Sequence, residues 1–282
     1  MGIDLSLYHW VMIASLVSRW IVPALVCLPL GTGAPLHAAD VDGSTLNGVA
    51  HVAVRVTDVP KSREFYRTLG WEQAFEFNDA KGTTCAYVKV NDRQFIELYR
   101  QNAPTEALGL MHICFEGGDL AATVAAYRKA GLTLPDPRKA RAGNLLFGLR
   151  DAEGNFYEYT QYLPGSLHMN ETGKHVLETR LSDHMVQASQ SVKDLAAVTA
   201  FFTGKLGFKD LGNGRLGTPG TSGEGIQLEP ASPEWKPRLV FHVADVKLAA
   251  AELKKRGVAV EMAGPSALVR DPDGFVLLFT AR

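Results

Sequence analysis

Four side chains stand at a repeated interval in this sequence. His51 precedes Glu97 by 46 positions, His112 precedes Glu158 by 46, and the two pairs are offset by 61. A double recurrence of this kind marks a duplicated module that supplies one imidazole and one carboxylate per copy. Two copies facing each other would gather two histidines and two glutamates around one cation. Two neutral imidazoles and two carboxylates offset the charge of a divalent ion and leave one or two positions for water or substrate oxygens. That is an open, catalytic arrangement. Nitrogen and oxygen donors without thiolate suit Fe, Mn, Co, Ni or Zn, and the donor set does not choose among them.

The elements that must position these groups repeat as well. Asp58 to Trp71 (DVPKSREFYRTLGW) echoes Asp194 to Phe208 (DLAAVTAFFTGKLGF), and Asp119 to Leu132 (DLAATVAAYRKAGL) echoes Asp245 to Val258 (DVKLAAAELKKRGV). Arg150 to Thr160 (RDAEGNFYEYT) likewise echoes Arg270 to Thr280 (RDPDGFVLLFT). The chain thus holds two related halves, each made of two smaller units. A unit opens with an alternating segment such as His51–Val56, whose period of two and valines predict a strand. Asp58, Asp119, Asp194 and Asp245 then suit helix N-caps, and Gly70, Gly131, Gly207 and Gly257 suit the left-handed stops. Three further extended stretches complete each unit, the last entered through Asp151–Gly154 or Asp271–Gly274, both good turn sequences.

The halves span residues 47–162 and 182–282, with a linker over 163–181 that has room for a turn or two of helix. Gly212 to Gly225 is rich in glycine but has no helix-opening pattern for a phosphate cradle, so it reads as a loop between strands. Counting seven residues back from the caps, which reaches His51 and His112 in the first half, gives Gln187 and Arg238 in the second. Its last-strand positions are Gln227 and Leu278. A leucine and an arginine cannot cage a cation, so the second half reads as scaffold, lid or dimer surface. His168, His175, His184 and His242 fall outside the spacing pattern and take a structural or surface role by default.

Bulk properties narrow the field of partners. A length of 282 residues, 46% hydrophobic and 21% charged, supports two ordinary cores. A formal net charge of -1 supplies no basic field for phosphate backbones or anionic lipid, so nucleic acid is not an expected partner. Residues 1–39 read as an export signal. Arg19 precedes an apolar run from Trp20 to Leu30, too short to span a bilayer, and His37-Ala38-Ala39 offers a cleavage site. The expected location is periplasmic or secreted, with no stable membrane span after processing. Cys85 and Cys114 then remain, and two small buried core residues are the simplest reading of them.

These motifs together resemble the vicinal oxygen chelate superfamily, which contains glyoxalase I, methylmalonyl-CoA epimerase, fosfomycin-resistance enzymes and extradiol dioxygenases. The resemblance covers about residues 47–282 and rests on the repeated helix end, the D-x-x-G strand entry and the four donor positions. It implies an α+β fold of tandem paired βαβββ modules, two eight-stranded cups in all. Metal ligands would project from first strands (His51, His112) and last strands (Glu97, Glu158). Arg55, Tyr99, Cys114 and Thr160 share strand parity with those ligands and become candidate pocket residues.

The resemblance also implies a small-molecule substrate and divalent-metal chemistry. In glyoxalase-like and epimerase-like members the ion acts as a Lewis acid while a nearby carboxylate shuttles a proton, a role open to Glu97 and Glu158. A lyase- or isomerase-like enzyme is therefore the first expectation. The glutathione adduct of glyoxalase I itself suits an exported protein poorly. Ring-cleaving dioxygenases are the alternative, since their length and two-half organisation match. They need two histidines and one carboxylate with three open positions, and usually a further histidine beside the metal. Residues 40–162 hold only His51 and His112. A non-catalytic, resistance-type binder is the third reading, against which all four donors are retained. The units pair within one chain or across a homodimer, and a tandem chain with one intact half closes most simply on itself.

Overall fold

The computed structural model describes residues 46–281 except Ser222, so the expected export signal at 1–39 lies outside the described residues. The chain begins with β1 (Leu46–Val56), α1 (Val59–Thr68), β2 (Gln73–Asp79), β3 (Gly82–Lys89) and β4 (Phe95–Arg100). The pattern repeats as β5 (Gly109–Gly117), α2 (Leu120–Lys129), β6 (Arg138–Lys139), β7 (Leu145–Arg150) and β8 (Phe156–Gln161). A single turn, α3 (Leu167–Asn170), precedes the second half. There β9 (Met185–Val192), α4 (Leu195–Leu206), β10 (Lys209–Asp210), β11 (Arg215–Gly217) and β12 (Gly225–Pro230) form the third unit. β13 (Arg238–His242), α5 (Val246–Lys255), β14 (Glu261–Ala263), β15 (Ser266–Arg270) and β16 (Val276–Thr280) form the fourth.

Eight strands join in the order β2-β3-β4-β1-β5-β8-β7-β6, and eight more in the corresponding order β10-β11-β12-β9-β13-β16-β15-β14. The α+β class and the two eight-stranded sheets expected from the sequence are both present. Local chemistry explains the repeats. Each of Asp58, Asp119, Asp194 and Asp245 accepts a backbone N–H from the first turn of its helix, which satisfies a donor the helix cannot pair internally. The glycines expected to stop those helices all carry positive φ. One expectation needs correction: the segment 212–225 is not loop throughout. It contains the three-residue β11, too short to show a period of two.

Alternation along β1 sorts its side chains. Val52, Val54 and Val56 enter the apolar core, while His51, Ala53 and Arg55 lie on the opposite face. That core is continuous across both sheets. Trp71 packs against Phe241 with ring centroids 4.5 Å apart, and Tyr157 meets Phe202 at 5.0 Å. Truncating a buried aromatic such as Trp71 to alanine costs about 3–5 kcal/mol in cores of this kind. Polar clamps reinforce the junction: Gln94 Nε2 donates to Met185 O at 2.8 Å, and Met185 N donates back to Gln94 Oε1 at 2.8 Å. Val49 N also donates to Glu224 Oε2 at 2.7 Å. The residue before it, Gly48, has φ +119°, and a Cβ there would meet the same carboxylate oxygen at 1.9 Å.

Candidate metal centre

The four donors sit on the four central strands of the first sheet. β1 runs parallel to β4 and antiparallel to β5, so Ala53 stands beside Glu97 on one side and His112 on the other. One step along, His51 pairs with Cys114, and Cys114 pairs with Glu158 on β8. Alanine and cysteine therefore occupy the rungs between donors, and their small side chains let the larger ones lean together. His51 Nε2 lies 3.3 Å from Glu97 Oε1 and 3.7 Å from Glu158 Oε2. His112 Nε2 lies 3.4 Å from the same Glu158 oxygen, and the two imidazole centroids are 5.5 Å apart.

Burial dictates the protonation states. It pushes the His51 imidazole down to about 3. It likewise pushes His112 down to about 4, against the pull of Glu158 and with a small contribution from His51. Both rings are thus neutral at neutral pH and offer lone pairs. Glu97 is pushed up to about 8, first by burial and then by the charge of Glu158, while hydrogen bonds from Tyr99 and Tyr87 hold it down in part. Among the described residues no lysine or arginine pairs with Glu97 or Glu158.

Both nitrogens of His51 and Nε2 of His112 are buried without a hydrogen-bond partner. An orphaned buried polar atom costs about 1–3 kcal/mol, so three in one place require an outside partner. A divalent cation meets two of these demands, taking the Nε2 lone pairs of His51 and His112, and it neutralises the paired carboxylates. Ligand atoms of His51, Glu97 and His112 lie within 4.8 Å of one another, as do those of His51, Cys114 and Glu158. The residues fit a two-nitrogen, two-oxygen metal centre.

A cavity of about 290 Å³ opens beside these donors, and His51, Glu97 and Glu158 form part of its wall. Of the residues chosen by strand parity, Tyr99 lines it. Cys114 lies at the level of the donors, fully buried. Thr160 is buried behind the wall, accepting from Asn144 Nδ2 at 2.5 Å and donating to Leu145 O at 3.2 Å. Arg55 lies away from the cavity: its long side chain reaches Ala107 O at 3.0 Å and Glu106 at 3.5 Å. Cys85 and Cys114 are free thiols, as two core cysteines should be.

Several wall residues carry no signal at the level of strand parity. The most consequential is His168, only 2% exposed, which enters the cavity wall from α3. Its ring stacks on Tyr162 at 4.5 Å and meets Phe75, Phe95 and Tyr87 edge-on at 5.0–5.4 Å. Both of its nitrogens lack a partner, and burial pushes its imidazole down to about 3. Of the two default roles for His168 the surface one is excluded: the ring is buried in the cavity wall. Arg138, Arg141 and Asn144 also line the cavity, from the β6–β7 hairpin.

In the second sheet Gln187, Gln227, Arg238 and Leu278 hold the matching register, with Gln187 opposite Val240 and Val240 opposite Leu278. Arg238 is ion-paired with Glu229, and Gln227 donates to Asn213 O at 2.8 Å. The counterpart positions have become ordinary structural contacts.

A sequence model of the Glyoxalase/Bleomycin resistance protein/Dioxygenase superfamily matches residues 48–159, the segment that carries all four donors. The first lobe is therefore similar in sequence to that superfamily over those residues. Among solved structures, it is similar to the Mn(II)-bound glyoxalase from Novosphingobium aromaticivorans, at 18% identity and a TM-score of 0.65, over 84% of this chain and 83% of that one. It is similar to homoprotocatechuate 2,3-dioxygenase from Arthrobacter globiformis, at 15% identity and a TM-score of 0.65, over 88% and 83%. The 2,3-dioxygenase LapB from Pseudomonas sp. KL28 matches at 17% identity and a TM-score of 0.63, over 85% and 94%. Likeness at these identities concerns the fold. No curated protein sequence matches the chain.

Proposed function

We propose that the first lobe is a divalent-metal enzyme, its ion held by His51, Glu97, His112 and Glu158, that moves a proton on a small oxygen-chelating substrate. The observation that carries this reading is the convergence, beside one cavity, of two carboxylates and two neutral imidazoles whose Nε2 atoms are buried without a partner. A bound divalent ion would act there as a Lewis acid toward the substrate's oxygens. His51 and His112 would hold it as neutral donors. Glu97, buried at the floor and hydrogen-bonded by Tyr99 and Tyr87, is the fixed carboxylate. Glu158, with a side chain 18% exposed and facing the cavity, is the one placed to take and return a proton. The rings packed around His168 make that part of the cavity wall aromatic.

Metal analysis tests the reading first. Protein purified without chelators should hold one equivalent of transition metal, and less than about half an equivalent would overturn the proposal. With Mn(II) saturating, Glu158→Gln should abolish solvent-deuterium exchange into an α-hydroxy or α-keto acid.

One observation favours a second reading, extradiol-type ring cleavage. Such enzymes usually place a further histidine beside the metal, and His168 now stands in that cavity although its sequence position lies outside residues 40–162. Oxygen uptake with catechols and Fe(II) would select this reading over proton transfer. Retention of all four donors favours either enzyme over a resistance-type binder. The periplasmic or secreted location remains a proposal from the sequence, tested by N-terminal sequencing of the protein from a periplasmic fraction.

A further inference from the structure

The wall of the cavity opposite in chemistry to the carboxylates is cationic. Arg138 and Arg141 both line it, and neither guanidinium has a hydrogen-bond or carboxylate partner among the described residues. Their neighbours behave differently. Arg55, Arg63, Arg67, Arg93, Arg100 and Arg128 each reach a carboxylate. Arg141 instead rests its guanidinium carbon 4.2 Å over the Phe77 ring. Stacking of this kind uses the face of the fork and leaves its in-plane N–H donors free, which is the geometry that receives a planar or tetrahedral oxyanion.

An independent feature follows the arginines in sequence and lines the same cavity as they do. Asn144 is 4% exposed, and its Oδ1 is buried without a partner. The amide orientation follows from its neighbour: Thr160 spends its one hydroxyl proton on Leu145 O, so it accepts from Asn144 Nδ2. Asn144 Oδ1 is therefore a fixed acceptor on the cavity wall that calls for an outside donor.

Charge balance points the same way. Two carboxylates neutralise one divalent ion, so the metal-loaded centre leaves the two guanidiniums uncompensated. We propose that the cavity takes a small organic oxyanion, its charged end on Arg138 and Arg141 and a hydroxyl donated to Asn144 Oδ1. This inference rests on the metal reading for the charge count but on separate residues for recognition. The volume of about 290 Å³ lies near the lower end of ligand cavities, roughly 300–1,000 Å³, and suits a hydroxy acid rather than a large conjugate. Carboxylate and phosphate share the required chemistry.

Isothermal titration of Mn(II)-loaded protein tests it, with glycolate, 2-phosphoglycolate and neutral ethylene glycol as probes. Both anions should bind wild type, and the Arg138→Gln/Arg141→Gln variant should lose at least about tenfold in affinity for the better one. Mn(II) stoichiometry should not change. Both arginines are exposed, so glutamine there leaves the core intact, and the double lysine variant should recover part of the affinity. The stronger of the two anions identifies the natural charged group as carboxylate or phosphate. Equal affinity in wild type and glutamine variant, or tighter binding of ethylene glycol than of either anion, would overturn the assignment. Should the protein fail to retain Mn(II), the metal reading falls alone: arginine-dependent anion binding to the metal-free protein would still uphold the site.

Discussion

Ala53 stands directly across from His112 in the antiparallel β1–β5 ladder and from Glu97 in the parallel β1–β4 ladder. A fully buried methyl group thus separates two donors whose ligand atoms lie within 4.8 Å of each other. Side chains on adjacent rungs converge only if the rung between them is small. Ala53→Leu should push Glu97 and His112 apart. The expected result is at least a tenfold loss of metal affinity, a magnitude typical of disturbed metal surroundings, with a stability cost of about 1–3 kcal/mol from overpacking. Ala53→Gly should retain the metal. Equilibrium dialysis followed by elemental analysis reads the difference, and equal affinity in both variants would remove the small-rung argument.

His168 carries a cost that only function explains. Two partnerless nitrogens on a buried ring forgo their hydration, and an apolar group of similar shape would not. His168→Phe should therefore raise the stability of the metal-free protein by about 1–2 kcal/mol in urea denaturation. The same variant should keep its metal and lose turnover of whichever substrate the exchange or oxygen assays identify. A destabilised His168→Phe would mean that the imidazole is already satisfied.

Much of this site was legible in the sequence because it is periodic. Capping aspartates act over one turn of chain, and strand donors recur at fixed offsets from them, so counting from Asp58 and Asp119 reaches His51 and His112 and, in the second half, Gln187 and Arg238. The sheet registers keep the positions equivalent: His51 lies across from Cys114 as Gln187 lies across from Val240. His168 escaped because its place depends on tertiary packing: a four-residue turn in an aperiodic linker reaches the cavity only when the linker folds back onto β3 and β4. Arg138, Arg141 and Asn144 escaped because β6 is two residues long and shows no alternation. Arg55 had the right parity, yet a long flexible side chain is free to turn toward Glu106.

The segment bearing His168 is pinned by a buried lysine. Lys89 is 1% exposed, and its Nζ donates to Glu171 O at 2.5 Å and to Lys174 O at 2.8 Å, just past the end of α3. Asp92 completes the arrangement, pairing with Lys89 at 2.5 Å and accepting from Gly173 N at 2.9 Å. A cation is well placed on the carbonyls beyond a helical C-terminus. Lys89→Met keeps the apolar stem but strands both carbonyls and the Asp92 charge. Amide exchange over residues 167–174 should accelerate, with a global loss of about 2–3 kcal/mol. Unchanged exchange in that segment would show that α3 is held by its aromatic contacts alone.

The D-x-x-G turn before β16 makes a pH-dependent contribution that can be isolated. Asp271 is 5% exposed, and it accepts from Phe275 N at 2.8 Å and Asp273 N at 3.0 Å. Tyr66 Oη donates to it from α1 at 3.4 Å. Burial nonetheless raises its carboxyl to about 6, the backbone hydrogen bonds opposing that shift and the nearby Asp273 adding to it. A carboxyl whose folded value lies above its unfolded one favours folding while protonated, so this contribution is present at pH 4 and lost as pH rises through about 6. Asp271→Asn keeps an oxygen for the turn and cannot ionise. Its stability relative to wild type should therefore improve between pH 4 and pH 7.5, by at most about 3 kcal/mol for a shift of this size. The acids whose carboxyls lie below their usual range, such as Glu76 and Asp79, change both proteins alike and cancel in the difference. Urea midpoints of the two proteins at a series of pH values measure it, and a constant gap across that range would place the Asp271 carboxyl at its ordinary value.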